Sequence, residues 1–128
     1  MDKIHHIGVY VQDLDGARDF FIRYFRATVS ALYTNATTGF RSYFLSFGEG
    51  CRLEIMTIPE LQTPEDIRVR PGYAHIAFSV GGKAKVDELT AILSAGGYKT
   101  VDGPRITGDG YYESKITGFE GNIIEITA

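Results

Sequence analysis

A chain of 128 residues, 44% hydrophobic and 23% charged, fits one soluble domain with a real core, and no apolar run approaches the roughly 20 residues of a membrane helix. A net charge of -3 without a basic cluster excludes an electrostatic nucleic-acid footprint, and the single cysteine, Cys51, excludes both an internal disulfide and a cysteine-based metal cage. The start, Met1 to Val11, lacks the basic stretch and small-residue cleavage site of a secretory signal, so the cytoplasm is the expected compartment.

In chain order, Ile4 to Val11 alternates as a strand, with Ile7, Val9 and Val11 on an apolar face and His6, Gly8 and Tyr10 on the other. Asp13 is placed to cap a helix whose apolar positions, Leu14, Ala17, Phe20, Phe21 and Tyr24, recur at three- and four-residue spacing. Strands are expected around Thr28 to Tyr33, Phe40 to Phe47 and Cys51 to Ile58, separated by turns at Asn35 and Gly39 and at Gly48 and Gly50. The first half therefore reads βαβββ, over about residues 1–58. A polar segment, 59–71, reads as a linker.

From about residue 72 the pattern starts again. His75-Ile76-Ala77-Phe78-Ser79-Val80 matches His6-Ile7-Gly8-Val9-Tyr10-Val11 in register. A second helix is predicted from Lys83 to Ala95, burying Val86, Leu89, Ile92 and Leu93 and stopping at Gly96-Gly97, followed by strands near Tyr98 to Val101, Tyr111 to Thr117 and Asn122 to Thr127. Gly103 to Tyr112, glycine-rich and aromatic, reads as a connection able to close over a site. Leu53-Glu54-Ile55 corresponds to Ile124-Glu125-Ile126, a carboxylate flanked by aliphatics in each half.

This repeat carries the chemistry. Aliphatic neighbours packed into the core send Glu54 and Glu125 to the opposite face, and His6 and His75 lie on the same non-core face of their own strands. His6, Glu54, His75 and Glu125 are thus expected to converge on one divalent cation. Two nitrogens and two oxygens suit nickel or zinc, and also manganese, iron or cobalt, with positions left for water or substrate. His5 alternates to the apolar side beside Ile7, where a partly buried packing or hydrogen-bonding role is expected rather than ligation, while Arg52 and Met56 share the Glu54 face and are candidates either to line the cavity or for a solvated or packing role.

The set His6-Ile7-Gly8, Asp13-Leu14 and Gly121-Asn122-Ile123-Ile124-Glu125-Ile126 resembles the vicinal oxygen chelate superfamily, also called the glyoxalase, bleomycin-resistance and dioxygenase superfamily. The resemblance implies an α+β fold of two βαβββ modules forming a cupped open barrel, commonly a homodimer. Its ligand order, His, Glu, His, Glu, is similar to that of glyoxalase I, which implies a metal-dependent lyase of the lactoylglutathione type acting on a small molecule. In such an enzyme the cation stabilises an enediolate and Glu54 or Glu125 is the base. Tyr10 and Ile58 stand where bacterial glyoxalase I has an arginine and an asparagine that hold glutathione, so glutathione itself is not implied. Two alternatives share the scaffold: an epimerase acting next to a carbonyl, like methylmalonyl-coenzyme A epimerase, and a binding module stacking an aromatic molecule on Tyr43, Tyr73, Tyr111 or Tyr112.

Overall fold

The computed structural model describes residues 3–62 and 73–128, and the chain divides into two compact units, Met1–Thr63 and Pro64–Ala128. The predicted linker at 59–71 lies mostly outside the described residues. Each unit is a helix packed on a mixed sheet, an α+β arrangement.

In the first unit the elements are β1 (His6–Tyr10), α1 (Leu14–Phe25), β2 (Thr28–Val29), β3 (Tyr33–Thr34), β4 (Arg41–Ser46) and β5 (Arg52–Thr57). The predicted single strand over Thr28 to Tyr33 is two short strands, each pairing with β4. The sheet order is β1-β5-β4-β2, with β1 parallel to β5 and the other pairs antiparallel. Helix α1 begins where Asp13 Oδ1 accepts from the Gly16 amide at 2.9 Å, satisfying one of the four amides a helix start leaves unpaired. It buries Leu14, Ala17, Phe20 and Phe21. Opposite them on the sheet lie Leu45, Leu53 and Ile55, all buried.

The second unit repeats the order as β6 (Ile76–Ser79), α2 (Lys83–Ala95), β7 (Thr100–Ile106), β8 (Tyr112–Thr117) and β9 (Ile123–Thr127), with a single turn of 3-10 helix over Phe119–Gly121 before β9. Its sheet order is β6-β9-β8-β7, again with a parallel pair, β6 and β9. Val86, Leu93, Ile116, Ile124 and Ile126 form its core. Ile92, expected inside, is 49% exposed; Thr90 is buried instead, bonding the Val86 carbonyl at 2.6 Å and Ser114 Oγ at 2.7 Å. A hydroxyl is tolerated there because both its hydrogen-bonding roles are filled.

The larger departure is β7. The segment expected to be a loop from Gly103 is strand as far as Ile106, with register irregularities between Thr100 and Asp102 and between Asp102 and Arg105. Proline is compatible with a sheet at such a bulge because the missing amide leaves no ladder bond unmade. Gly103 has φ of 79°, and a Cβ there would meet the Glu113 carbonyl at 2.6 Å, so only glycine fits the bulge. The connection shrinks to Thr107–Tyr111, tied by Thr107 N–H to the Tyr111 carbonyl at 2.7 Å and Tyr111 N–H to Thr107 Oγ1 at 3.0 Å. It forms a hairpin tip tied by its own hydrogen bonds.

Loss of the α1 cap is the simplest check of this account. Asp13→Ala is expected to lower stability by about 1 kcal/mol in urea unfolding, and an unchanged midpoint would show that the cap contributes nothing.

Candidate metal centre

The two parallel strand pairs place the sequence-predicted ligands by the same register. In β1 and β5, Gly8 stands opposite Glu54, two residues on from His6. In β6 and β9, Ala77 stands opposite Glu125, two residues on from His75. Residues two apart on extended chain share a face, so His6 comes together with Glu54 on the side away from the helix, and His75, the residue just before β6, lies against Glu125 in the same way. A Cβ on Gly8 would meet Met56 Cε at 2.4 Å, so a larger residue there would require the Met56 side chain to move aside.

His6 Nε2 is 3.7 Å from Glu54 Oε1, and His75 Nε2 is 3.2 Å from Glu125 Oε2. Metal–nitrogen and metal–oxygen bonds of roughly 2.1 Å at a right angle put the two donor atoms about 3 Å apart; the His75–Glu125 pair is close to that spacing, and the His6–Glu54 pair is wider. The carboxylates are mostly shielded, with side chains 17% and 14% exposed, whereas the histidines are 39% and 40% exposed and open to solvent. Among the described residues no group of three or more His, Cys, Asp or Glu side chains is gathered closely enough to hold an ion. Each unit therefore presents a two-donor half-site.

The two half-sites differ in their surroundings. Around Glu54 stand His6 and the Phe44 ring, which meets His6 edge-on at 5.3 Å, with the Arg52 guanidinium 4.4 Å above the same Phe44 ring. His5, the residue before β1, is exposed rather than partly buried, and of its two expected roles it takes the hydrogen-bonding one: its Nδ1 is 2.8 Å from His6 Nδ1. Around Glu125 the setting is ionic. Lys115 Nζ lies 3.6 Å from Glu125 Oε1, and a cleft of about 330 Å³ is lined by His75, Arg105, Glu113, Ser114, Lys115 and Glu125 among others. Thr107 and Asp109 of the hairpin tip, joined by a short hydrogen bond, and Asp102, paired with Arg105 at 2.7 Å, also line it. That volume is at the lower end for ligand pockets.

Glu113 and Lys115 were not singled out from sequence, although the signal is present. Ser114 and Ile116 are buried, so alternation puts Glu113 and Lys115 on the ligand face, and Lys115 pairs in register with Glu125. Burial pushes the Glu113 carboxyl above its ordinary value, and the negative charge of Glu125 and a hydrogen bond to it push it further. The tyrosines proposed for stacking are partly committed elsewhere. Tyr43 is buried, donating to Asp15 Oδ1 and accepting from Arg18, each at 2.9 Å, while Tyr112 donates to Asp87 and lies under Lys83.

Because the folded state favours protonated Glu113, its contribution to stability is present below the ordinary carboxylate range and is lost as pH rises through the raised value. Glu113→Gln is therefore expected to melt higher than the wild type at pH 8 in chelator-treated protein, with the gap closing by pH 4. A gap that does not change with pH would remove Glu113 as a titrating neighbour of Glu125.

Comparison with known proteins places this architecture. The family model described as the Glyoxalase/Bleomycin resistance protein/Dioxygenase superfamily matches residues 3–126. A protein of Bacillus subtilis described as uncharacterized protein YqjT is 32% identical over 116 residues, covering 85% of each chain. Among solved structures, a glyoxalase family protein from Bacillus cereus is similar with a TM-score of 0.81 at 20% identity, over 99% of this chain and 93% of its own. The trypanothione-dependent glyoxalase I of Leishmania major gives 0.79 at 19% identity, over 99% and 86%. The fosfomycin resistance protein FosX of Listeria monocytogenes, solved with manganese(II) and sulfate, gives 0.73 at 22%, over 100% and 93%. These structural likenesses concern the fold, and with the family match over nearly the whole chain they show that the chain belongs to the glyoxalase, bleomycin-resistance and dioxygenase superfamily.

Proposed function

We propose that this chain is a divalent-metal-dependent lyase or isomerase of the glyoxalase I type, acting on a small oxygen-rich substrate and using the two His–Glu half-sites together on one ion, within a chain or across a homodimer. The observation that carries this reading is the repeated register. The same histidine, small residue and facing glutamate recur in both units, at donor spacings of 3.7 and 3.2 Å. Solvent-facing strand residues have no reason to recur in this way. Glu54 at the second ligand position matches the four-donor order that resembles glyoxalase I.

A bound nickel or zinc ion would supply Lewis-acid stabilisation of the negative charge that develops on neighbouring substrate oxygens. His6 and His75 would hold it through Nε2, and Glu54 and Glu125 through carboxylate oxygens. One of the two carboxylates takes the proton from the carbon beside the carbonyl and returns it to the adjacent carbon, a general-base role. Lys115 and Glu113 engage Glu125, whereas Glu54 faces His6 and an aromatic ring, so the two glutamates meet a proton in different settings. The cleft beside Glu125 has only polar and charged residues in its lining, which favours a hydroxylated or carbonyl substrate over an apolar one. Tyr43 and Tyr112 are committed to other contacts, so an aromatic-stacking binder would rely on Tyr73 and Tyr111, which are exposed.

Metal analysis of the purified protein is expected to find about one transition-metal ion per four-ligand set, lost in both Glu54→Ala and Glu125→Ala. With methylglyoxal and common thiols, the nickel- or zinc-loaded protein is expected to form thioester, and either variant to lose about 10²–10⁴-fold in rate. No metal after reconstitution would sink the enzyme reading, and metal without thioester would exclude the lyase.

A further inference from the structure

A line of side chains runs away from the first half-site. Arg52 Nη2 is 3.4 Å from His5 Nε2, His5 Nδ1 is 2.8 Å from His6 Nδ1, and His6 Nε2 faces Glu54 Oε1 at 3.7 Å. The backbone fixes the line at both ends: His6 and Arg52 are direct partners in the β1–β5 ladder, and the Arg52 amide donates to the His5 carbonyl at 3.2 Å. The arginine is further held over the Phe44 ring.

Elementary donor and acceptor rules give the line a direction. A guanidinium only donates, so the His5 nitrogen facing it accepts. Neutral His5 then carries its proton on Nδ1 and donates it to His6 Nδ1. Neutral His6, accepting at Nδ1, carries its own proton on Nε2, the nitrogen turned toward Glu54. That is the opposite of what a cation requires. Coordination uses the Nε2 lone pair, and a ligating histidine donates its other ring N–H to a neighbour.

On the reading that His6 is a metal ligand, we infer that His5 is its positioning residue and that Arg52 opposes ion binding by holding the His5–His6 pair in the reverse proton arrangement. Loading turns the line around without a change in net charge. His6 Nε2 releases one proton, the shared proton passes from His5 Nδ1 to His6 Nδ1, and His5 Nε2 takes one up. The Nδ1–Nδ1 bond survives in the other direction, whereas the Arg52 contact becomes donor against donor and breaks. His5 therefore supports the loaded state and Arg52 the unloaded one, so their removal has opposite effects.

The test uses the full chain with histidine ring nitrogens labelled with nitrogen-15, and zinc(II) titrated against a chromophoric chelator. In chelator-treated wild type, His6 is expected to show its proton on Nε2; in Arg52→Met it moves toward Nδ1 and zinc binds several-fold more tightly. His5→Phe is expected to weaken zinc binding by about 10–100-fold, the range for loss of a partner behind a ligand. His5→Asn, which keeps a polar group there, is expected to recover part of that loss. Weaker binding in both Arg52→Met and His5→Phe, or tighter binding in Arg52→Met with the His6 proton unmoved, would overturn the inference; the latter would mark Arg52 as a repelling charge only. If no variant and no wild type binds zinc while the ring spectra follow the order described, the ligand role of His6 fails and the proton direction stands.

Discussion

The geometry of both half-sites depends on one constraint, the parallel pairing of the first strand of each unit with its last. Parallel strands cannot be joined by a tight turn, so a helix and the intervening strands must return the chain to the same edge. That return puts a residue from the beginning of a unit beside one from its end, His6 by Glu54 and His75 by Glu125. The helix on one face makes the core, and the same alternation that packs Leu53, Ile55, Ile124 and Ile126 against it leaves the carboxylates on the other face. Fold and site are two faces of the same strands.

Much of this was readable from the residues because the repeat is written in strand alternation, a local signal with a sharp period. The elements that escaped the reading are those where local rules compete. Gly103 and Pro104 ordinarily announce a loop, yet they sit in a bulged strand because β8 supplies the facing backbone. Ile92 fits a helical apolar stripe, but the satisfied Thr90–Ser114 pair takes the buried position. His5 is exposed because neither the helix nor a neighbouring strand covers the residue before β1, which alternation alone does not reveal. Glu113 and Lys115 were legible in principle, since they flank buried Ser114, but charged residues in a strand ordinarily mean a solvated face.

Similar backbones surround the two half-sites with different chemistry. The first unit backs its pair with rings and a cation, His5, Phe44 and Arg52; the second backs its pair with charges, Glu113 and Lys115, in a polar cleft. Equivalent positions of the repeat are therefore not equivalent sites.

The small residues at Gly8 and Ala77 have a consequence for how such a scaffold diversifies. Because each donor pair is assembled inside its own unit, by a register that does not depend on the identity of the donors, a single substitution at Glu54 or Glu125 removes one donor and leaves the strand pairing of the other unit as it was. The make-up of each His–Glu pair can thus change one residue at a time without altering the strand ladder that positions it.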